Sequence, residues 1–283
     1  METTLGRFIV GVIVATAFFA STGCIAPKHQ SVNVEPSNNV PPATSVKPSP
    51  ISIIEPTGNA EVGQPIIAHG LGIAFENTIQ LRVLDANGNV IGEGYATAYA
   101  PEYDAPGPWR AAVPYRDSTT EGGWLEAYES SAMDGSELHL VRVPIRFAID
   151  TLGISAYFIR AADGPPGIGN CPLGVVAERH LIPRTPAVAR TAVEALLAGP
   201  LPSTNPEFTT AFWPPSVELR DISIVDGVAR VYFSPELFSE FMGSGGDCRK
   251  QQAMAQLRAT LTQFPTVRDV QLLENRKGIP RAP

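Results

Sequence analysis

The chain is poor in cysteine, histidine and basic residues, and each shortage weakens one class of function. Its 283 residues include three cysteines in no zinc-ligand pattern and four histidines, no two of which lie at metal-ligand spacing. Lys and Arg total 21 against 28 Asp and Glu, a net charge of −7. Without a basic block, binding to nucleic acid through phosphates is not expected. We expect neither a cofactor or metal nor a nucleic-acid partner.

Catalytic motifs are also lacking. His29, His69, His139 and His180 are not accompanied by a serine or cysteine nucleophile motif. The glycine- and proline-rich loop DGPPGIGNCP lacks the Gly-Lys-Ser/Thr ending of a phosphate loop. A catalytic triad can be assembled from residues far apart in sequence, so the lack of a motif does not exclude one. The sequence nevertheless predicts that the chain is not an enzyme.

Two acidic patterns favour ordinary strand structure over a site. Glu126 and Glu129 lie three positions apart, and an odd spacing places them on opposite faces of one strand. They therefore do not pair as the two carboxylates of a glycosidase would. We expect an exposed strand with interleaved aromatic residues there. The segment 85–89, DANGN, opens like a calcium loop, but Val90 and Ala96 stand where glycine and glutamate are needed. Asn-Gly between apolar runs predicts a hairpin instead.

One apolar run, FIVGVIVATAFFA at residues 8–20, is too short for a comfortable membrane span and fits a signal-peptide core. Small residues and Cys24 follow it. The arrangement resembles a bacterial lipoprotein signal, which implies that residues 1–23 are removed and that lipidated Cys24 anchors the chain to the membrane. Ser21 departs from that pattern, in which leucine is usual. A plain cleaved signal with a free Cys24 and a retained N-terminal anchor are the alternatives.

Residues 24–50 are rich in Pro, Ser, Asn and Val, and they cannot bury enough apolar surface to offset ordering. We expect a disordered tether that holds the folded part away from the membrane. Anchor and tether together predict an extracytoplasmic location on the bacterial cell membrane.

Residues 51–148 contain short alternating runs separated by turn residues, which predicts an all-β sandwich. A change of phase near Leu140 predicts a bulge or twist, and Pro144 predicts an edge position. The expected strands are Ile51–Glu55, Gln64–Gly70, Thr78–Asp85, Val90–Thr97, Trp109–Val113, Gly123–Ser130 and Leu138–Phe147.

The phrases QLRVLDANGNVIGEGYATA and GGWLEAYESSAMDGSELHLVRVPIRF resemble the immunoglobulin-like domain associated with bacterial spore germination. The resemblance covers about the whole region. It implies a seven-stranded sandwich that acts as a spacer or adhesive module, with no catalytic residues to carry over.

Residues 152–277 alternate strands and helices. Strands are expected at 154–160, 175–182, 217–225, 228–233 and 267–273, with a short helix from 235 to 241. One amphipathic helix has Thr185 as its N-cap and Gly199 past its end, and Ala189, Val193, Leu196 and Leu197 form its apolar face. The last helix has Asp247 as its cap. The order predicts an α+β region whose longer helices pack on one face of a small antiparallel or mixed sheet.

The pieces ARTAVEALLAGP, FWPPSVELRDISIVDGVARVYFSPEL and LRATLTQFPTVRDVQLL resemble the GerMN domain of bacterial sporulation and spore-germination lipoproteins. The resemblance implies a binding and assembly module similar to the ring-building folds of envelope-spanning complexes. This chain has one such region, whereas the sporulation lipoprotein has two in tandem.

Cys171 and Cys248 fall in the same region, and both adjoin glycine-rich segments. Outside the cytoplasm they can form a disulfide worth about 4 kcal/mol. Two unpaired buried thiols are the alternative.

These features predict an anchored envelope lipoprotein that binds protein partners or cell wall, with a homo-oligomer also open. Exposed sheet edges are the expected contact. The alternative is a substrate-binding lipoprotein that serves a transporter or receptor, which would need a pocket between the two regions. No ligand-binding residues are predicted.

Overall fold

The described part of the chain is mostly β-structure, as the short alternating segments predict. The computed structural model describes residues 49–100, 105–160, 171–201, 208–241 and 246–274. The predicted signal peptide, the tether with Cys24 and His29, and most of the loop at 163–172 lie outside these residues. Two large hydrophobic clusters organise the fold, and we call the parts around them the first lobe (residues 50–147) and the second lobe (residues 151–274).

Alternating burial makes the first lobe a two-sheet sandwich. Its strands are β1 Ile51–Glu55, β2 Ala60–Val62, β3 Ile66–Gly72, β4 Thr78–Asp85, β5 Val90–Thr97, β6 Gly107–Val113, β7 Gly122–Ser130 and β8 Glu137–Phe147. In β4, Ile79, Leu81 and Val83 are buried, while the residues between them face outward. The sheets have the orders β2-β8-β7-β4-β5 and β1-β3-β6, and the cluster lies between them.

The predicted strands of this lobe are confirmed, three of them with their bounds unchanged, but β2 was missed because it has only three residues. The bulge near Leu140 is also present, because the register between β7 and β8 shifts there. The edge position predicted from Pro144 is wrong, since β8 lies between β2 and β7. The proline is tolerated because β2 pairs with β8 only from Ile145 onward.

The second lobe has strands β9 Thr151–Arg160, β10 Val175–Pro183, β11 Phe208–Thr209, β12 Leu219–Val225, β13 Val228–Phe233 and β14 Asp269–Glu274. Its helices are α1 Val188–Ala198, α2 Pro235–Phe241 and α3 Gly246–Leu261. The strands divide into two sheets, β10-β9-β11 and β12-β13-β14, rather than the single sheet expected. β13 and β14 are parallel, because α2 and α3 connect them.

Helix α1 contributes the apolar face predicted for it: Ala189, Val193, Leu196 and Leu197 are all buried. Gly199 follows with a φ of 83°, as its position past the helix end requires. The predicted N-cap is wrong. The helix begins at Val188, and the Thr185 hydroxyl accepts a hydrogen bond from the Ala187 N–H in a turn before it. Asp247 likewise lies within the first turn of α3 rather than at its cap.

Polar side chains of α3 and the turn after it complete the edge of β9 that faces away from β10. The Gln256 amide donates to the Tyr157 carbonyl at 3.0 Å, and the Tyr157 N–H donates to the Thr260 hydroxyl at 3.2 Å. Gln263 exchanges two hydrogen bonds with the Ser155 backbone, at 2.9 and 2.8 Å. Gln256 and Thr260 are fully buried, so these bonds satisfy groups that water cannot reach.

The two lobes contact each other directly. The backbones of Gln64 and Leu181 exchange hydrogen bonds of 2.7 and 2.8 Å, which joins the segment between β2 and β3 to β10. Ala112 of β6 forms a small buried cluster with Ala198 and Leu201, at and beyond the end of α1. Backbone hydrogen bonds and apolar burial thus join the two lobes.

Candidate functional site

A groove lies where the outer face of the sheet β1-β3-β6 meets α1 and the segment before β12. It has a volume of about 510 Å³. Ile54 and Leu71 line it and are 48% and 42% exposed, so the groove has an accessible apolar surface. His69, Arg110 and Glu194 supply polar groups. This volume falls within the range of small-molecule pockets.

Arg110 is the charged centre of the groove. Its Nη1 lies 3.3 Å from Glu194 Oε2, and its Nε donates to the Pro215 carbonyl at 3.1 Å. The pair crosses the junction, because Arg110 belongs to β6 and Glu194 to α1. Burial raises the pKa of Glu194 above its usual value, and Arg110 opposes that effect.

His69 lies opposite Arg110 in the pairing of β3 with β6. Burial, and then the charge of Arg110, lower the pKa of His69 from 6.5 to about 4. The imidazole is therefore neutral at physiological pH. A neutral imidazole beside a guanidinium can exchange hydrogen bonds with a bound molecule, but it adds no second positive charge to the groove.

The outer face of the five-stranded sheet carries a second cluster, centred on Glu126. This carboxylate is fully buried and accepts hydrogen bonds from Arg82 Nε and Arg142 Nε, both at 2.7 Å. Arg82 lies over the ring of Tyr128 at 5.0 Å from its centroid, and Arg142 lies over the ring of Trp124 at 5.3 Å.

The sequence placed Glu126 on an exposed strand, and that expectation is wrong. Arg82 and Arg142 on the two neighbouring strands cover the carboxylate and pair with it. Their alignment depends on the register of β4, β7 and β8, which the sequence did not give. Trp109 is buried in the sandwich.

His180 is buried in the second lobe as a hydrogen-bonded strand residue. Its Nε2 is 3.0 Å from Glu178 Oε1, and both side chains are buried. Glu178 Oε2 accepts a hydrogen bond from the Leu201 N–H at 3.1 Å. The pair therefore fixes the chain beyond α1 against β10. Within the described residues, His180 Nδ1 has no hydrogen-bond partner.

Cys171 and Cys248 are joined by a disulfide, with their Cα atoms 5.5 Å apart and 77 positions apart in sequence. The bond links the segment before β10 to the first turns of α3. Gln252, one turn further along α3, donates to the Pro172 carbonyl at 3.0 Å and holds the same segment. Cys24, the predicted lipid attachment site, lies outside the described residues.

The loop after β4 is a hairpin, as predicted. The Asp85 carboxylate accepts hydrogen bonds from the Asn87 N–H and from both the backbone and side chain of Asn89. The Asn89 side chain makes the largest contribution to lowering the pKa of Asp85. Throughout the described ranges, no three His, Cys, Asp or Glu side chains gather as a metal site would need. No helix within those ranges is long and apolar enough to span a membrane.

The groove was not predicted, because it is formed by residues from β3, β6 and α1 that no local pattern connects. The period-two pattern does place His69 and Arg110 on the outer faces of their strands. That these two side chains lie beside α1, however, depends on how the two lobes pack, which strand periodicity does not predict.

Comparison with known families matches each lobe separately. Residues 50–136 match the family described as the immunoglobulin-like domain of bacterial spore germination, Gmad2. Residues 155–278 match the family described as sporulation and spore germination, Germane. Both resemblances noted in the sequence are thus confirmed.

Similarity to individual proteins is slight. A crystal structure of a candidate lipoprotein from Clostridium perfringens is 19% identical over 46% of this chain and 79% of its own, with a TM-score of 0.27. A likeness at that level carries no argument about fold or function. No curated protein matches the chain. The family matches decide the assignment: the chain carries an immunoglobulin-like domain of bacterial spore germination followed by a sporulation and spore germination domain.

Proposed function

We propose that this chain is a membrane-anchored, extracytoplasmic lipoprotein that acts as a binding and assembly module of the cell envelope, in a process related to sporulation or germination. The two families support the process, and neither is known to be catalytic. In this proposal residues 51–148 and 152–277 are the two domains, and the chain is not an enzyme.

The junction between the lobes is the observation that carries the proposal. Arg110 donates hydrogen bonds to Glu194 and to the Pro215 carbonyl, and the backbones of Gln64 and Leu181 exchange hydrogen bonds. These groups bind the lobes to each other. Two lobes joined in this way suit a module that presents one continuous surface to envelope partners, whether proteins or cell wall.

Attachment to the membrane is tested at Cys24. The variant Cys24→Ala should lose metabolic palmitate label and leave the membrane fraction. Ser37→Ala, in the same tether, should keep both. If Cys24→Ala remains labelled and membrane-bound, the lipid-anchor part of the proposal fails.

Binding is tested with the full chain in intact cells. Crosslinking followed by mass spectrometry should recover a reproducible envelope protein, or the chain should sediment with purified cell wall. A chain that is crosslinked to nothing and remains soluble beside cell wall would contradict the binding role. Release of soluble fragments from the wall would contradict the non-enzymatic one.

A substrate-binding lipoprotein serving a transporter or receptor is the second candidate, and the groove of about 510 Å³ favours it. A ligand of the groove should raise the melting temperature of the chain. Leu71→Lys should abolish that rise. Leu173→Lys should not, because Leu173 has nearly the same exposure, 45% against 42%, but lies outside the groove.

A further inference from the structure

We infer that the outer face of the five-stranded sheet is the contact surface of a two-fold symmetric dimer, with the second copy of this chain as its partner. This rests on the proposed function only in identifying one partner of a binding module. It uses a surface outside the groove, and Tyr95 at one edge of that surface also lines a cleft against Leu197 and Trp213 of the second lobe.

A row of alternating charge crosses this face. Arg142 of β8 pairs in register with Glu126 of β7, Glu126 with Arg82 of β4, and Arg82 with Glu93 of β5. The two middle members pair with each other, and Arg82 also forms an ion pair of 2.7 Å with Glu137 at the start of β8. Glu126 is fully buried and the Arg82 side chain is 19% exposed. The ends of the row remain accessible: the Arg142 side chain is 49% exposed, and Glu93 is exposed. The row itself therefore ends in a positive charge at β8 and a negative charge at β5, while Glu137 of β8 lies beyond the row as a partner of Arg82.

Aromatic and aliphatic residues flank the charged row on both sides. Along one side, Tyr128, Gln80 and Tyr95 pair across β7, β4 and β5, and Leu140 of β8 lies on the same outer face. Tyr95 is 52% exposed and Leu140 44%. Along the other side, the register aligns Pro144, Trp124, Leu84 and Val90. Tyr, Trp and Arg are the residues that contribute most to protein interfaces.

The alternation makes the face complementary to itself in one orientation. A two-fold axis parallel to the strands and between β7 and β4 reverses the row, so Arg142 meets Glu93 of the other copy at both ends. With this axis, each row of flanking residues packs against the same row of the other copy. Tyr128 then faces Gln80 of the other copy, and Trp124 faces Leu84. An axis along the row would instead oppose like charges.

The spacing of the charges agrees with this arrangement. Arg142 and Glu93 are three strand spacings apart, about 14 Å, so the two ion pairs form at opposite ends of the charged row, and the flanking residues pack on either side of it. The patch spans only four strands, which is small for a stable interface. We expect a weak dimer whose population depends on concentration.

The first test is sedimentation velocity of the full chain in a mild detergent, over a hundredfold range of concentration. The native chain should shift from monomer to dimer. Leu140→Ser and Tyr95→Ser should each weaken dimerisation at least tenfold. Leu173→Ser is the matched control, because Leu173 is 45% exposed but lies off the face, and it should dimerise like the native chain.

The second test uses charge reversal and mixing, with melting temperature as the check on folding. Glu93→Arg alone and Arg142→Glu alone should each remain monomeric, since like charges then meet at both ends. An equimolar mixture should dimerise, because every end of the interface again pairs opposite charges. A native chain that stays monomeric at all concentrations overturns the inference, as does a dimer unaffected by Leu140→Ser and Tyr95→Ser. Capture of a different envelope protein by the native monomer would overturn it too, while leaving the binding role intact.

Discussion

Gln64 and Leu181 pair their backbones in both directions, with N–O distances of 2.7 and 2.8 Å, and this pair bridges the two lobes. The approach is close because residue 63 is glycine. A Cβ atom there would lie 2.1 Å from the Leu181 carbonyl oxygen, a distance that no relaxed structure accepts.

Gly63→Ala should therefore push the lobes apart and lower the melting temperature. Gly58→Ala is the matched control, since its added Cβ would meet nothing nearer than 3.9 Å. Thermal unfolding followed by circular dichroism measures both. Equal melting temperatures for the two variants would show that the Gln64–Leu181 bridge contributes nothing to the junction.

Glu126→Gln should destabilise the first lobe by about 2 kcal/mol, because Arg142 loses its anionic partner and Arg82 keeps only Glu137. Glu121→Gln replaces an exposed carboxylate on the same lobe and should change the free energy of unfolding by less than about 0.5 kcal/mol. Chemical denaturation gives both values. Similar free energies of unfolding for the two variants would mean that Glu126 contributes no more to stability than an exposed carboxylate does.

Gln256→Met should cost about 2–4 kcal/mol, because it removes the partners of the Tyr157 carbonyl and the Ala211 N–H. Gln251→Met changes the same residue type on the same helix at an exposed position, and it should be close to neutral. Unfolding in urea at one pH compares them. Near-native stability of Gln256→Met would show that β9 does not depend on α3 for its hydrogen bonds.

The free energy of unfolding should fall in acid because of His69. Its folded pKa of about 4 lies below its ordinary 6.5, so the unfolded state binds more protons between these values. The free energy of unfolding should then decrease as pH falls from about 6.5 to about 4.

His69→Gln should flatten that part of the pH profile, as measured by urea unfolding at several pH values. Arg110, Glu194, Glu55 and Glu218 also line the groove. They are present in both proteins, so the difference between the two profiles isolates the histidine. Identical profiles would mean that His69 is not desolvated in the groove.

Removing the disulfide should cost about 4.5 kcal/mol by the chain-entropy relation for a closed loop of 77 residues. The double variant Cys171→Ser, Cys248→Ser and the reduced native chain should unfold at the same lower denaturant concentration. A reductant should not change the double variant further. An unchanged midpoint for the reduced chain would contradict a stabilising bond.

The sequence predicted those parts of the fold that depend on local periodicity. The strand Thr78–Asp85 and the apolar face of α1 follow from spacings of two and of three to four residues, and both are present. The hairpin at Asp85 follows from Asn-Gly. The start of a helix was harder to predict than its apolar face. Thr185, expected as the N-cap of α1, instead accepts a hydrogen bond from the Ala187 N–H in a turn before the helix.

Long-range register was beyond reach of the sequence. Glu126 looks like any surface carboxylate until β4 and β8 place Arg82 and Arg142 beside it. The groove requires the packing of β3 and β6 against α1, which depends on contacts across more than 80 positions, such as Arg110 with Glu194. Single-strand patterns contain no information on such pairs.

The side chains that α3 extends along β9 also protect the chain from aggregation. An uncovered strand edge can recruit strands from other molecules, and here α3 and the turn after it cover the part of that edge that β11 leaves unpaired. If α3 detached, an apolar stripe and a free β-edge would become exposed together. Because the disulfide fastens the first turns of α3, a reducing environment would favour that exposure, and handling the chain under oxidising conditions should keep it dispersed.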